Sequence, residues 1–147
     1  MIEISKSLEV QAPVERVWSL IGDLENEQKY WGTLRKVKIV KKVDDSTVER
    51  EATIQRGPMG EATSTQTLTV DSVQKSSLLT MTKGPLLGSR KISLNSPDGT
   101  NKTKIDVSWQ FELKGIPGFA QGFVKDSISD TTEKALTAIA QEAKSSH

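Results

Sequence analysis

Polar and apolar residues alternate along most of this chain. At the start, Ile2, Ile4, Leu8 and Val10 alternate with Glu3, Ser5 and Glu9, the period-two signature of a half-buried strand. Gln11-Ala12-Pro13 breaks the pattern. From Val14 the apolar residues Val14, Val17, Trp18 and Ile21 recur at helical spacing, with Pro13 in the first turn and Glu15 near the positive end of the helix dipole. A second short helix is predicted over Asp23–Trp31, with Asp23 as N-cap and Gly32 as stop signal. Strands are predicted at 34–43, with Val37, Ile39 and Val43 on one face, and at 47–56, where Val48, Arg50, Ala52 and Ile54 share a face. The next strand, 62–70, places four threonines on one side and Ala62, Ser64, Gln66, Leu68 and Val70 on the other.

Turn signals separate these segments: Asp44-Asp45-Ser46, Gly57-Pro58-Met59-Gly60 and Ser96-Pro97-Asp98-Gly99. Face parity requires even positions of 47–56 to oppose even positions of 62–70, for example Ile54 near Ser64 and Val48 near Val70, since a one-residue slip would separate the apolar sets. Further strands are expected at 77–83 and 89–94, joined through Gly84-Pro85-Leu86-Leu87-Gly88. In 102–113, Ile105, Val107, Trp109, Phe111 and Leu113 face one way and should pack on the last helix, predicted over 116–144. In that helix Ile116, Phe119, Ala120, Phe123, Val124, Ile128, Ala135, Leu136, Ile139 and Ala143 follow three- and four-residue steps, and Gly115, Gly118 and Gly122 weaken its first turns.

Composition narrows the chemistry. The 147 residues suit one domain, 1–147. A formal net charge of +1 argues against nucleic acid as the main partner. No run of 18 apolar residues exists, so no stable membrane insertion is expected, and the N-terminus does not read as a signal peptide. The chain has no cysteine, which removes disulfides and thiolate chemistry and fits a cytoplasmic location. Its one histidine, His147, is the last residue, native or left by a tag. No internal imidazole is therefore available for a catalytic triad or an ordinary zinc site; no metal, no cofactor and no catalytic residue are assigned.

The opening strand, hinge and helix of Ile2–Gly22 resemble the polyketide cyclase/dehydrase and lipid-transport branch of the START and birch-pollen-allergen superfamily, often called SRPBCC. The resemblance implies an α+β helix-grip fold: a curved antiparallel sheet of six to seven strands around a long C-terminal helix, with two short helices after the first strand. It also implies a cavity for an apolar ligand between sheet and helix, with Tyr30-Trp31-Gly32 near one mouth. The weakened start of the last helix and the loop Gly84–Gly88 could gate that cavity, or the glycines serve close packing or a late helix start. The expected interior of Val37, Ile39, Ala52, Leu68, Ile92, Trp109, Phe111, Phe119 and Phe123 has the apolar character of such a wall, or of a filled core.

Arg50, Gln66 and Arg90 fall on faces that otherwise carry apolar side chains. A buried guanidinium must meet a carboxylate or a ligand anion. The two arginines therefore either orient the polar end of a ligand, or sit at the rim or pair with an acid from a loop. The expected ligand-binding set is Arg50, Gln66, Leu68, Arg90, Ile92, Trp109, Phe119 and Phe123. Three functions fit: a carrier of a lipid, quinone, polyketide or isoprenoid; a cyclase or dehydratase without metal; and a protein-interaction module. The enzyme reading lacks an evident proton-transfer group. The lysines of 34–43 read as a solvated outer strand or as a contact for anionic headgroups. Oligomeric state and ligand identity are not written in the sequence.

Overall fold

The computed structural model describes residues 1–55, 60–97 and 101–145. Its elements follow the expected order. Strand β1 (Ile2–Val10) leads into α1 (Val14–Ile21), a 3-10 turn (Leu24–Asn26) and the one-turn α2 (Glu27–Tyr30). Six strands follow: β2 (Leu34–Lys42), β3 (Thr47–Gln55), β4 (Glu61–Asp71), β5 (Ser76–Lys83), β6 (Leu86–Asn95) and β7 (Thr103–Leu113). Helix α3 (Gly118–Ser145) ends the chain. The strands form one antiparallel sheet in the order β1-β7-β6-β5-β4-β3-β2. This is the helix-grip arrangement, with seven strands among the described residues.

Local chemistry explains the boundaries. Pro13 is extended (φ −63°, ψ 148°) and sits just before the first helical residue rather than inside the first turn. Its carbonyl accepts from the amides of Arg16 and Val17, which starts α1. The Asp23 carboxylate accepts from the Glu25 amide at 3.0 Å, as its N-cap role requires. In the β2–β3 turn, Asp44 Oδ1 accepts from the Ser46 amide at 2.8 Å. The expected turns through Gly57–Met59 and Asp98-Gly99, and His147, lie outside the described residues.

The β3–β4 register keeps even opposite even but is offset by two residues from the expected pairs: Ile54 faces Ala62, Ala52 faces Ser64 and Val48 faces Leu68. A two-residue shift preserves both faces, so the alternation alone could not distinguish the two registers. The segment Leu86–Gly88 is not a loop but the first part of β6, paired with Phe111–Leu113. Gly88 has φ 152°, and a Cβ there would collide with the carbonyl of Gln110 and lie 2.6 Å from Phe111 Cα. Glycine at 88 thus admits a close backbone approach, which removes the idea of a Gly84–Gly88 gate.

The core lies between the concave face of the sheet and α3. Ile105, Val107, Trp109 and Phe111 are all buried there, as their alternation requires. From α3 they meet Ala135, Leu136, Ile139, Ala140 and Ala143; the helix packs closely on β1 and α1, an approach that its three alanines favour. Trp109 Nε1 donates to Thr132 Oγ1 at 3.0 Å, and that hydroxyl donates to the Ile128 carbonyl. Sheet and helix are thus joined by a satisfied polar contact inside the apolar layer.

Three interior expectations fail. Phe119 and Phe123 are 84% and 66% exposed. The buried stripe of α3 runs one residue further on, through Ala120 and Val124, so the phenylalanines stand about 100° around the helix on its outer side. Ile39 shares its sheet face with Arg50 but is 51% exposed, because β2 is the sheet edge.

Candidate functional site

Arg50 on β3, Gln66 on β4 and Arg90 on β6 all point to the concave side and are 2–4% exposed. Register brings them together: Arg50 is opposite Gln66, Gln66 opposite Met81, and Arg90 opposite both Leu79 and Trp109. Above them sits Glu27, the first residue of α2, 8% exposed. Its carboxylate accepts a forked pair from Arg50, Nη1 to Oε1 at 2.5 Å and Nη2 to Oε2 at 3.0 Å. Arg90 Nη2 donates to the same Oε2 at 3.1 Å. Arg50 Nε donates to Gln66 Oε1 at 2.9 Å, and Gln66 Nε2 donates to Ser64 Oγ at 3.2 Å. Each inward arginine therefore has a carboxylate partner, and the acid comes from the short helix.

Burial alone would push the Glu27 carboxyl up. The hydrogen bonds and charges of the two guanidiniums outweigh burial and hold it below its usual value. Burial pushes the Arg90 guanidinium down, opposed mainly by the charge of Glu27. Two guanidiniums against one carboxylate leave the cluster with one positive charge in a nearly dry interior.

The arginines are unequal. The Arg50 fork and its Nε are all engaged by protein acceptors. Arg90 makes one ion-pair hydrogen bond, and its buried Nε has no acceptor among the described residues. Its guanidinium lies over Trp31, 4.6 Å from the ring centroid, and 5.7 Å from that of Trp109. The two indoles meet edge to face at 6.1 Å.

Two cavities flank this cluster and share Glu27, Trp31 and Arg90 in their walls. The larger, about 70 Å³, is lined also by Leu34, Arg50, Ile54, Gln66, Leu79, Met81, Leu86, Trp109, Val124, Ser127 and Ile128. The smaller, about 20 Å³, is bounded by Leu20, Ile21, Leu24, Tyr30, Leu68, Ser77, Ile92 and Ile139. Of the expected ligand set, Arg50, Gln66, Arg90 and Trp109 thus line the larger cavity, and Leu68 and Ile92 the smaller. Phe119 and Phe123 line neither. The larger cavity is well below the roughly 300–1,000 Å³ of pockets that enclose drug-sized ligands. Ile116, Ala120 and Val124 form a small apolar cluster beside the main core, with Leu113 and Ile128 packed against both.

Sequence reasoning missed Glu27, Glu142 and the stacking of Arg90 on Trp31, which it read as a residue that stacks on a ligand or seals the end of the core. Tyr30 donates to Glu142 Oε2, and Lys29 Nζ lies 2.6 Å from Oε1, fastening α2 to α3. Burial, the hydrogen bond and the neighbouring negative charge raise the Tyr30 phenol above its ordinary value. Among the described residues no group of three or more His, Cys, Asp or Glu could hold a metal ion, and no helix is long and apolar enough to cross a membrane.

The sequence matches the family described as polyketide cyclase/dehydrase and lipid transport over residues 1–144. No curated protein matches it. Solved structures share the fold at low identity. A Thermus thermophilus protein has a TM-score of 0.81 at 17% identity, over 99% of this chain and 100% of its own. The Zhui aromatase/cyclase of Streptomyces sp. R1128 has a TM-score of 0.79 at 13% identity, covering 97% and 93%. A START superfamily protein of Mycobacterium smegmatis has 0.74 at 17% identity, covering 95% and 97%. The chain belongs to the polyketide cyclase/dehydrase and lipid-transport family.

Proposed function

We propose that this family member binds an apolar small molecule between sheet and α3, and that Arg90 takes the anionic or strongly hydrogen-bond-accepting oxygen at the ligand's polar end. The observation that carries this reading is the Arg90 Nε, buried in the cavity wall without an acceptor among the described residues. The surplus positive charge of the Glu27 cluster points the same way, toward an acid or a polarised carbonyl. Gln66 braces Arg50, Arg50 holds Glu27, and Glu27 in turn fixes Arg90; Trp31 and Trp109 present ring faces and edges to a planar or aliphatic body. A lipid, quinone, polyketide or isoprenoid exceeds the cavity in this form, so uptake involves parting of the wall that α3 contributes at Val124–Ile128.

A cyclase or dehydratase acting in the same cavity is the second reading, supported by the family description and by the capacity of Arg90 to polarise a carbonyl. It needs a proton-transfer group, and the buried candidates are engaged: Glu27 is ionised between two guanidiniums, and Tyr30 is bonded to Glu142. We place it in the cytoplasm, with which a chain free of cysteine is compatible.

The test is titration of the wild type and Arg90→Met with a fluorescent fatty acid and with its neutral methyl ester, alongside mass spectrometry of co-purifying ligands. Loss of a charge-assisted hydrogen bond costs about 1.5–3 kcal/mol, or on the order of ten- to a hundredfold in affinity. Selective loss for the acid in a folded variant supports the assignment. Equal losses for both ligands reduce it to damaged packing, and no loss places Arg90 outside the ligand contact.

A further inference from the structure

Strand β2 forms one edge of the sheet and, among the described residues, pairs only with β3. Every second residue of such an edge turns its N–H and C=O away from the ladder. Lysines and two bulges guard this edge against indiscriminate pairing, yet it runs nine residues and carries three exposed aliphatic side chains at or beside it: Ile39, Val40 and Val43, 51%, 58% and 47% exposed. It also carries Arg35, Lys36, Lys38, Lys41 and Lys42, with no acid between Leu34 and Val43. None of these five cations lies within ion-pair distance of a carboxylate among the described residues.

The register sorts these residues by face. Val37 opposes Ala52 and Ile39 opposes Arg50, so both stand on the concave, apolar side. Lys36, Lys38 and Lys41 oppose Thr53, Glu51 and Glu49, and form a row of cations on the convex side. Bulges fall at Arg35 and Val40, leaving Lys36–Ile39 as an uninterrupted ladder segment. A strand laid against Lys36–Lys41 would meet aliphatic neighbours on the concave face and ammonium groups on the convex one; beyond it Lys42, opposite Val48, returns a cation to the concave side. A second copy of β2 fits badly in either direction, because it would set lysines against lysines.

We propose that the free edge of β2 is a docking site for an extended acidic segment of a partner protein, one that alternates carboxylate and aliphatic residues and adds to the sheet as an eighth strand. Main-chain hydrogen bonds supply the attachment. Carboxylates opposite Lys36, Lys38 and Lys41, with aliphatic residues beside Val37 and Ile39, supply the choice of partner. This role is independent of the cavity and of its ligand.

The probe is a blocked peptide of alternating glutamate and valine, of the same nine-residue length as β2, titrated into the full chain labelled for NMR. The expected result is binding that weakens with added salt, with shifts and new exchange protection confined to amides of β2. Peptide N-methylated on the edge facing β2 should fail to bind, and Lys38→Glu/Lys41→Glu should lose about tenfold in affinity. Equal binding of the N-methylated peptide would overturn the proposal, since charge alone would then suffice. So would shifts lying away from β2, or no peptide binding where anionic vesicles or oligothymidylate do bind. The N-methyl comparison uses unmodified protein, so it stands even if the charge-reversed variant folds poorly.

Discussion

Replacing Glu27 by glutamine removes one negative charge and keeps the shape. The two guanidiniums that share this carboxylate at 2.5, 3.0 and 3.1 Å would then face each other across a neutral amide, in a site where none of the three side chains is more than 8% exposed. Breaking a buried ion pair from one side costs about 3–5 kcal/mol, because the surviving charge keeps its desolvation penalty. Two charges survive here, so the upper half of that range is expected. A domain of this size is stable by about 5–15 kcal/mol, and each kcal/mol moves its midpoint by roughly 2–4 °C. Glu27→Gln should therefore melt about 8–20 °C below the wild type, and its urea midpoint should fall with little change in slope. The triple variant Glu27→Leu/Arg50→Met/Arg90→Met should recover most of the loss, because hydrophobic replacement of a whole buried cluster is often neutral. A Glu27→Gln loss below about 1 kcal/mol would refute the reasoning, since that is the scale of a solvated surface pair. So would a triple variant no more stable than the single.

The pH dependence of the same group carries a sign. The folded Glu27 carboxyl titrates below its ordinary value of 4.5, so its contribution is complete above that pH and disappears as pH falls through the folded value; the stability gap between wild type and Glu27→Gln should narrow in acid urea titrations and stay constant from pH 6 to 8. Tyr30 is the one tyrosine, and its raised phenol means that alkaline absorbance should show no phenolate midpoint at or below 10.0 while the chain is folded; this contribution is present below the unfolded value and lost as pH rises. Tyr30→Phe should cost about 1–3 kcal/mol in chemical denaturation, by loss of the bond to Glu142. Phe119→Ser and Phe123→Ser should each change stability by less than about 0.5 kcal/mol, whereas Phe111→Ala should cost about 3–5 kcal/mol. Gly88→Ala should lose more than about 2 kcal/mol, seen as poor yield of folded protein and a lowered midpoint, because its Cβ meets the backbone of Gln110 and Phe111.

Strands are legible in this sequence because alternation is an absolute signal: Ile105 to Phe111 can bury one face only, and they do. The same parity marks Arg50, Gln66 and Arg90 as inward. Helical phase is weaker. Phe119/Phe123 and Ala120/Val124 are both i,i+4 pairs one residue apart, and the larger side chains point sequence reasoning to the wrong stripe. Glu27 is invisible for another reason. It sits on a single helical turn, too short for any period, among Asp23 and Glu25, which face solvent. The available clue is chemical: two inward arginines require an acid, and the acids nearest Tyr30-Trp31 are the candidates. Cavity size is not encoded in any pattern, since it depends on how far α3 stands from the sheet.

The sheet order has a consequence for the time course of folding. Every neighbouring pair from β2 to β7 is joined by a short connection, so five of the six ladders can form between near neighbours in the chain. The sixth pairs β1 with β7, from Ile2 with Phe111 to Val10 with Thr103, about a hundred residues apart. If the meander zips first, the N-terminus must then return along its edge, bringing α1 and the acid-bearing α2 across the concave face. On that order Arg50 and Arg90 gain their carboxylate partner only as β1 closes on β7.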